Sequence, residues 1–433
     1  MDIPKMKYEF DSYLLYEVTP QVAYTVKVKV RLKEAVDGAI LRQAAEMAFR
    51  RFWYFAKTVR LNSDDAFVLE NTGLPIVVKE ETDQPVVLGS AETNGLYFCV
   101  TYRDKDVYFN FAHNFCGGCG ALPWDQATLW QYFTDRYQKQ INADGIKTTH
   151  SPVFPKELDY PDAEKLPDDK PLGGYKGGNS YIPMDEYMTY FQDPSIGSKF
   201  YPVEIGNRDL MKYAKENDGS PNSIICAMMF RALSRVYRDR PEAAQISGKI
   251  VCNYRADVGC PETYRDLVRM LHVKYTTEMA DWSIEKLSTT ARGSMYLQMQ
   301  PEFSVQEYQR LLEFRKGIDE QKTFPEKAEY ALKNSLMRSD INDTFTVSYV
   351  GNLAWGGLAE YIESVYSITD GHLMLEVNSL PDKFCISFEL FNNSDRKYLD
   401  AFLQVMDEEG IPYTVGEAEK TNLPGIQLPV PHS

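Results

Sequence analysis

The chain has 433 residues, longer than one hydrophobic core usually supports, so two domains are the expectation. Hydrophobic residues make up 44% and charged residues 25%, an ordinary globular balance, and no stretch approaches the ~18 consecutive apolar residues of a membrane-spanning helix. The net charge of -15 opposes binding to nucleic acid or an anionic membrane, and no basic stripe offsets it: "FRRFW" and "LSRVYRDRPE" are short and mixed with apolar residues.

The opening "MDIPKMKYEFDSY" has no apolar run and predicts no secretory signal. The seven cysteines are odd in number and sit mostly in apolar segments such as "LYFCVTY" and "SIICAMMF". Together these features predict a reducing, cytoplasmic location and free thiols.

In chain order, "YTVKVKVRL" (24–32) alternates Val26, Val28, Val30 and Leu32 with basic residues, which predicts an antiparallel strand with one wet face. The period then changes. Leu41, Ala44, Ala45, Ala48 and Phe49 share one face of a helix, with Asp37 as its N-cap. Short strand candidates follow in "KTVRLN", "AFVLEN" and "PIVVKEE". "GLYFCVTYRDKDVYFNFAHNF" reads as a β-hairpin around the polar turn "RDKD". Its second strand runs into "CGGCGAL", and 123–141 reads as an amphipathic helix.

From 148 to 198 the chain is rich in Pro, Gly, Asp and Lys, the best crossover segment in the sequence. Patterning resumes with the strand "FYPVEIG", a helix capped by Asn207, the apolar and so buried helix "SPNSIICAMMFRALSRVYRD", and the strand "GKIVCNYRADV". A long helical stretch covers 283–336. "TFTVSYVGNLAWGG" is strand then turn; three more strands and a last helix close the chain. Strands alternate with helices in both halves, but many neighbouring strands join by short turns. The fold class expected is therefore α/β of the α+β type, with mixed, largely antiparallel sheets and helices packed on one side. The boundaries expected are 1–165, a crossover at 166–200, and 201–433.

The stretch "FAHNFCGGCGAL" (111–122) places His113, two cysteines and a glycine cluster at a strand–turn–helix junction. Three chemistries compete there. "CGGC" resembles a thioredoxin-type redox pair, although the chain is several times too large for such a module. His113, Cys116 and Cys119 could be three metal ligands, but a structural site wants a fourth and no partner cluster is visible; no metal is expected. Alternatively, His113 is a base at a strand end, with an ordinary pKa suited to proton abstraction near neutral pH.

The segment "FNFAHNFCGGCGALPWDQATLWQYF" resembles the surroundings of the His-x-x-x-Asp-Gly motif of the chloramphenicol acetyltransferase-like superfamily, which includes condensation domains, alcohol acetyltransferases and polyketide-associated acyltransferases. The register is His113, Asn114, Phe115, Cys116, then Gly117 in place of Asp, then Gly118. "VKVRLKEAVDGAILRQAAEMAFRRF" is similar to that family's opening strand and helix. "GKIVCNYRADVGCPETYRDLVRMLHVKY" is similar to its Asn-x-Arg segment, and "TFTVSYVGNLAWGGLAEYIESV" to its second-domain strand and turn.

The resemblance implies two similar domains meeting at a central tunnel, with His113 as general base. It implies an acyl-CoA co-substrate, or an acyl or peptidyl carrier protein as alternative donor, a hydroxyl or amine acceptor, and no bound cofactor. Ser348, Tyr349 and Asn352 become oxyanion or substrate-binding candidates, and Gly117, Gly118 and Arg255 structural members of the motif. Gly117 cannot supply the family's Asp, which leaves Arg255 as an orphaned partner, with Asp125 or a rearranged contact expected to satisfy it. The alternative function is a catalytically silent, condensation-domain-like protein that binds a ligand or carrier in the same groove.

Overall fold

The alternation in "TVKVKVRL" does form a strand, β1 (Thr25–Leu32), but both of its faces are buried. The computed structural model describes residues 10–19, 23–64, 66–162, 166, 180–335, 343–351 and 353–430. Lys27 and Lys29 do not reach water: Lys27 Nζ lies 2.7 Å from Glu81 and Lys29 Nζ 2.6 Å from Glu419. The C-terminal segment covers the expected wet face, and the Asn422 carbonyl also accepts from Lys27. Sequence alternation reports polarity, whereas burial here depends on partners from distant chain.

After α1 (Gly38–Arg51) come β2 (Lys57–Leu61), β3 (Phe67–Asn71), β4 (Val77–Glu80), β5 (Val87–Leu88), β6 (Phe98–Arg103), β7 (Asp106–Ala112) and α2 (Gly118–Tyr137). Then follow α3 (Met184–Gln192), β8 (Ser198–Gly206), α4 (Asn207–Glu216), α5 (Pro221–Val236), β9 (Gln245–Asn253) and β10 (Val268–Thr276). Three helices come next: α6 (Ile284–Gln298), α7 (Pro301–Asp319) and α8 (Phe324–Lys333). β11 (Phe345–Tyr349), β12 (Ile362–Ile368), β13 (Met374–Ser379), β14 (Lys383–Phe391) and α9 (Lys397–Glu408) follow. The short strands β15 (Tyr413–Val415), β16 (Glu419–Lys420) and β17 (Gly425–Ile426) end the series.

Two main sheets result. The first has the order β12-β1-β7-β6-β4, antiparallel except for β4 with β6. The second runs β10-β9-β11-β13-β14-β8-β15, with β16 also on β8; only β11 is parallel to its neighbours. This is the mixed, largely antiparallel α+β architecture expected. The sheets do not follow the chain halves, however. β12 crosses from the second half to pair with β1, and β17 pairs with β5.

Each sheet carries its own core. In the first, Trp124 of α2 is fully buried against Phe98 and Phe109; in the second, α5 buries Ile224 and Met229, and β14 buries Phe388. Asp37 caps α1 as its sequence suggests, accepting from the amides of Ala39 and Ile40 at 3.0 and 3.1 Å. The helix expected from 123 begins earlier, at Gly118, with Pro123 inside it. An interior proline costs a helix roughly 3 kcal/mol. Here the unbroken buried run from Trp124 to Phe133 offsets that cost. The expected crossover at 166–200 lies partly outside the described residues, and the rest is not plain linker, since α3 and the start of β8 fall within it.

Candidate active site

β7, the middle strand of the first sheet, ends directly before His113, whose amide donates to the Tyr24 carbonyl at 2.7 Å. Asn114 donates its side-chain amide to the Leu14 carbonyl, and Phe115 stacks on Tyr97. The turn is thus pinned on both sides before α2 starts. Two of its glycines are needed for close approach. A Cβ on Gly120 would lie 1.9 Å from the Tyr264 carbonyl oxygen, and one on Gly117 would lie 2.3 Å from Asp266 Oδ1. Gly118 meets nothing closer than a Val350 methyl at 3.6 Å. The glycine cluster therefore lets residues 264–266, from just before β10, lie directly on the turn.

That segment brings an acid to the histidine. Asp266 Oδ2 lies 3.1 Å from His113 Nδ1, aligned as an ion pair more than as a straight hydrogen bond. Burial pulls the His113 pKa down, but the charge and hydrogen bonding of Asp266 outweigh it, and the pKa ends above the usual histidine value. With the carboxylate on the Nδ1 side, Nε2 is the ring nitrogen left to exchange a proton with a ligand.

Arg255 is not orphaned, and Asp125 is not its partner. Its Nε donates to the Arg265 carbonyl at 2.9 Å, and a terminal nitrogen donates to the Arg265 and Tyr264 carbonyls at 2.7 and 3.4 Å. A fork of donors fits two adjacent carbonyls, so Arg255 holds the segment that carries Asp266. Asp125, 1% exposed, has no hydrogen-bond partner for either oxygen among the described residues. Burial pushes its carboxyl well above the usual range.

His113 keeps 27% of its side chain exposed, and it lines a cavity of about 1260 Å³. Both sheets contribute to that cavity: Val26 of β1 lines it, as do Lys249 of β9 and Thr346 of β11. The sequence-predicted Gly117, Gly118, Arg255, Ser348 and Tyr349 all line it too. Asn352 lies outside the described residues. Ser348 stands beside Glu376 in the parallel pairing of β11 and β13, and its hydroxyl bonds that carboxyl. Glu376 is buried and also lines the cavity. Burial pushes its pKa up to about 7, against the opposing pulls of Ser348 and the nearby charge of His113. The Tyr349 hydroxyl is engaged with Ser379.

Sequence reasoning missed Asp266 and Glu376. Asp266 sits unremarked in "ETYRDLVRM"; its only signal is an acid directly before a strand, in the segment that follows Asn-x-Arg. Glu376 hides in an apolar strand, where a lone buried Glu was the available clue.

The thiols fit the redox reading poorly. Cys116 is fully buried, and burial raises the Cys119 pKa despite the pull of Arg255, the reverse of an activated thiolate. Among the described residues, no group of three or more His, Cys, Asp or Glu is placed to hold a metal ion.

No family model and no curated protein matches the sequence. Solved structures do. The structure of TRI101 from F. sporotrichioides, complexed with coenzyme A and T-2, aligns over 93% of this chain and 98% of its own, with 11% identity and a TM-score of 0.59. The trichothecene 15-O-acetyltransferase TRI3 from Fusarium sporotrichioides aligns over 92% and 93%, with 11% identity and a TM-score of 0.55. Polyketide synthase associated protein 5 from Mycobacterium tuberculosis aligns over 92% and 96%, again with 11% identity and a TM-score of 0.55. The architecture is thus that of a two-domain acyltransferase fold. Specifically, the chain has the chloramphenicol acetyltransferase-like fold over nearly its whole length.

Proposed function

We propose that the protein is an acyltransferase that moves an acyl group from a coenzyme A thioester to a hydroxyl or amine, with His113 as general base. The observation that carries this reading is the His113–Asp266 contact at 3.1 Å on the wall of a 1260 Å³ cavity. His113 Nε2 takes the proton of the acceptor O–H or N–H as the heteroatom attacks the thioester carbonyl. Collapse of the tetrahedral oxyanion breaks the C–S bond, and the leaving sulfur takes the proton back from His113. The products are an ester or amide and the free thiol, with no enzyme-bound acyl group. A positioned base of this kind contributes roughly 10²–10⁴ in rate. Binding donor and acceptor in one cavity contributes further by proximity.

Residues 1–165 and 201–433 would then be the two acyltransferase-like subdomains, the second contributing β12 and β17 to sheets of the first, with free coenzyme A thioester preferred over a carrier-bound donor on the acidic net charge. Gly117 in place of the motif Asp favoured the silent, ligand-binding alternative. Asp266, which brings a carboxylate to the same turn, supports the catalytic reading instead. A screen of acyl-CoA donors against alcohols and amines, read as thiol release, tests the reading. Turnover lost in His113→Ala, with thermal unfolding unchanged, supports it; no turnover with any donor rejects it.

A further inference from the structure

A second histidine–carboxylate pair faces the same cavity. His272 Nδ1 lies 2.8 Å from Asp343 Oδ2, and the other oxygen of Asp343 accepts from the Ser247 hydroxyl at 2.6 Å. With Oδ2 as the acceptor, Nδ1 carries the proton and Nε2 is the nitrogen left for a ligand. Gln298 of α6 clamps the strand at this residue, accepting from the His272 amide at 2.9 Å and donating to its carbonyl at 2.8 Å. The ring is held, yet Nε2 has no hydrogen-bond partner among the described residues, and His272 lines the cavity.

The sheet register sets what stands beside it. His272 of β10 is directly opposite Lys249 of β9, and Lys249 is directly opposite Thr346 of β11. All three line the cavity. Partners in such a row have Cβ atoms roughly 5 Å apart on one face. The Thr346 hydroxyl also has no partner among the described residues, while Lys249 has contacts of its own and counts here for its charge. An imidazole, an ammonium and a hydroxyl in one row form a donor set suited to a carboxylate. Asp343, the acid at the end of the row, is spent on Ser247 and His272. Ser348 follows Thr346 by two positions along β11, a rise of roughly 7 Å. Ser348 bonds Glu376, which is near enough to His113 for their charges to interact. The row therefore lies a short chain's length from the dyad.

We propose that this row binds a carboxylate carried by the acyl donor or by the acceptor, on His272 Nε2 and Thr346 Oγ1 beside the Lys249 ammonium. This deepens the acyltransferase reading and rests on it for the roles of the reactants, but the binding itself needs no turnover. Nε2 donates once the ring takes a proton from solvent. Two carboxylates favour that cationic form, Asp343 on one nitrogen and the ligand on the other. A neutral amide of the same shape gains only ordinary hydrogen bonds. The difference corresponds to about 10-fold or more in affinity.

The test is calorimetric titration of the full chain at pH 7 with 3-phenylpropionate and with its neutral isostere 3-phenylpropionamide. The carboxylate should bind at least about 10-fold more tightly, and His272→Phe should erase the preference. Thr346→Val, of the same size and on another strand, should reduce it independently. Equal binding, tighter binding of the amide, no binding of the carboxylate, or a preference that survives both substitutions overturns the proposal. The wild-type comparison needs no variant to fold. Thiol release then tells donor from acceptor. Preference for glutaryl- over butyryl-coenzyme A, lost in His272→Phe, puts the carboxylate on the donor; preference for 4-hydroxybutyrate over 1-butanol, lost likewise, puts it on the acceptor. Thiol release with no carboxylate preference in either arm overturns the row and leaves acyl transfer standing. Carboxylate-preferring binding without thiol release from any donor does the reverse.

Discussion

Asp266 Oδ2 stands 3.1 Å from His113 Nδ1, while its other oxygen fills the space that a side chain on Gly117 would need. Gly117 and Asp266 therefore compete for one volume, and the carboxylate holds it. The two side chains come from the ends of different sheets, His113 from just after β7 and Asp266 from the approach to β10. The dyad therefore exists only when the two halves are docked. Arg255, through the Tyr264 and Arg265 carbonyls, fixes the approach.

The pH profile of acyl transfer should report this dyad. His113 must be neutral to accept a proton, and Asp266 raises its pKa above the ordinary value despite burial. Activity should rise with pH through that raised pKa, an acid limb above about 6.5. Asp266→Asn removes the largest influence that opposes burial, so the limb should move to lower pH while the plateau falls roughly 10²-fold. Thiol release measured across pH for both proteins decides. An unmoved limb means that His113 is not the titrating base or that Asp266 does not act on it.

Gly117→Ala should be as damaging as Asp266→Ala, for a steric reason alone. Gly117 has φ -80°, so its backbone accepts alanine, but the new methyl would lie 2.3 Å from Asp266 Oδ1. Both substitutions break one contact. The double variant should be little worse than either single one, a coupling of about 1–3 kcal/mol in a cycle on kcat/KM. Additive losses would mean that Gly117 serves something other than access for Asp266.

Much of the fold was legible because local patterns and tertiary packing agree: the α1 cap at Asp37, the hairpin before His113, the buried helix α5. Where they disagree, the sequence misleads. Lys27 and Lys29 announce a wet face that the chain's own C-terminal segment covers. The site divided in the same way. His113 was visible because its turn is contiguous, whereas Asp266 joins it from 153 positions away (266 minus 113), and no local pattern encodes that meeting.

The cysteines that draw the eye should prove dispensable to chemistry. Cys119→Ser and Cys116→Ala should retain thiol-releasing activity within a few-fold. Cys116, being fully buried, should lower the unfolding temperature instead, in line with a core substitution of about 1–2 kcal/mol. Loss of turnover on Cys119→Ser alone, with stability unchanged, would falsify the base mechanism in favour of a thiol one.

Acid should also loosen the cavity wall at α3, at a lower pH than that at which it protonates His113. Burial works against ionised Glu186, but hydrogen bonds from His372, Ser394 and Tyr398 overcome it and hold its pKa down at about 2. Those partners come from the turn before β13 and from around α9, so Glu186 ties α3 to the second sheet's end. A carboxylate depressed from its ordinary value near 4.5 to about 2 contributes stability that is complete above the unfolded value and disappears as pH falls toward the folded one. The contribution is about 3 kcal/mol for a side chain this well buried. Wild type should therefore lose unfolding temperature steeply between about pH 4.5 and pH 2, a window set by those two values. Glu186→Gln should start lower at pH 7 and fall less, and the two curves should converge at the acid end. Parallel curves would show that another group governs acid unfolding and that Glu186 does not anchor α3.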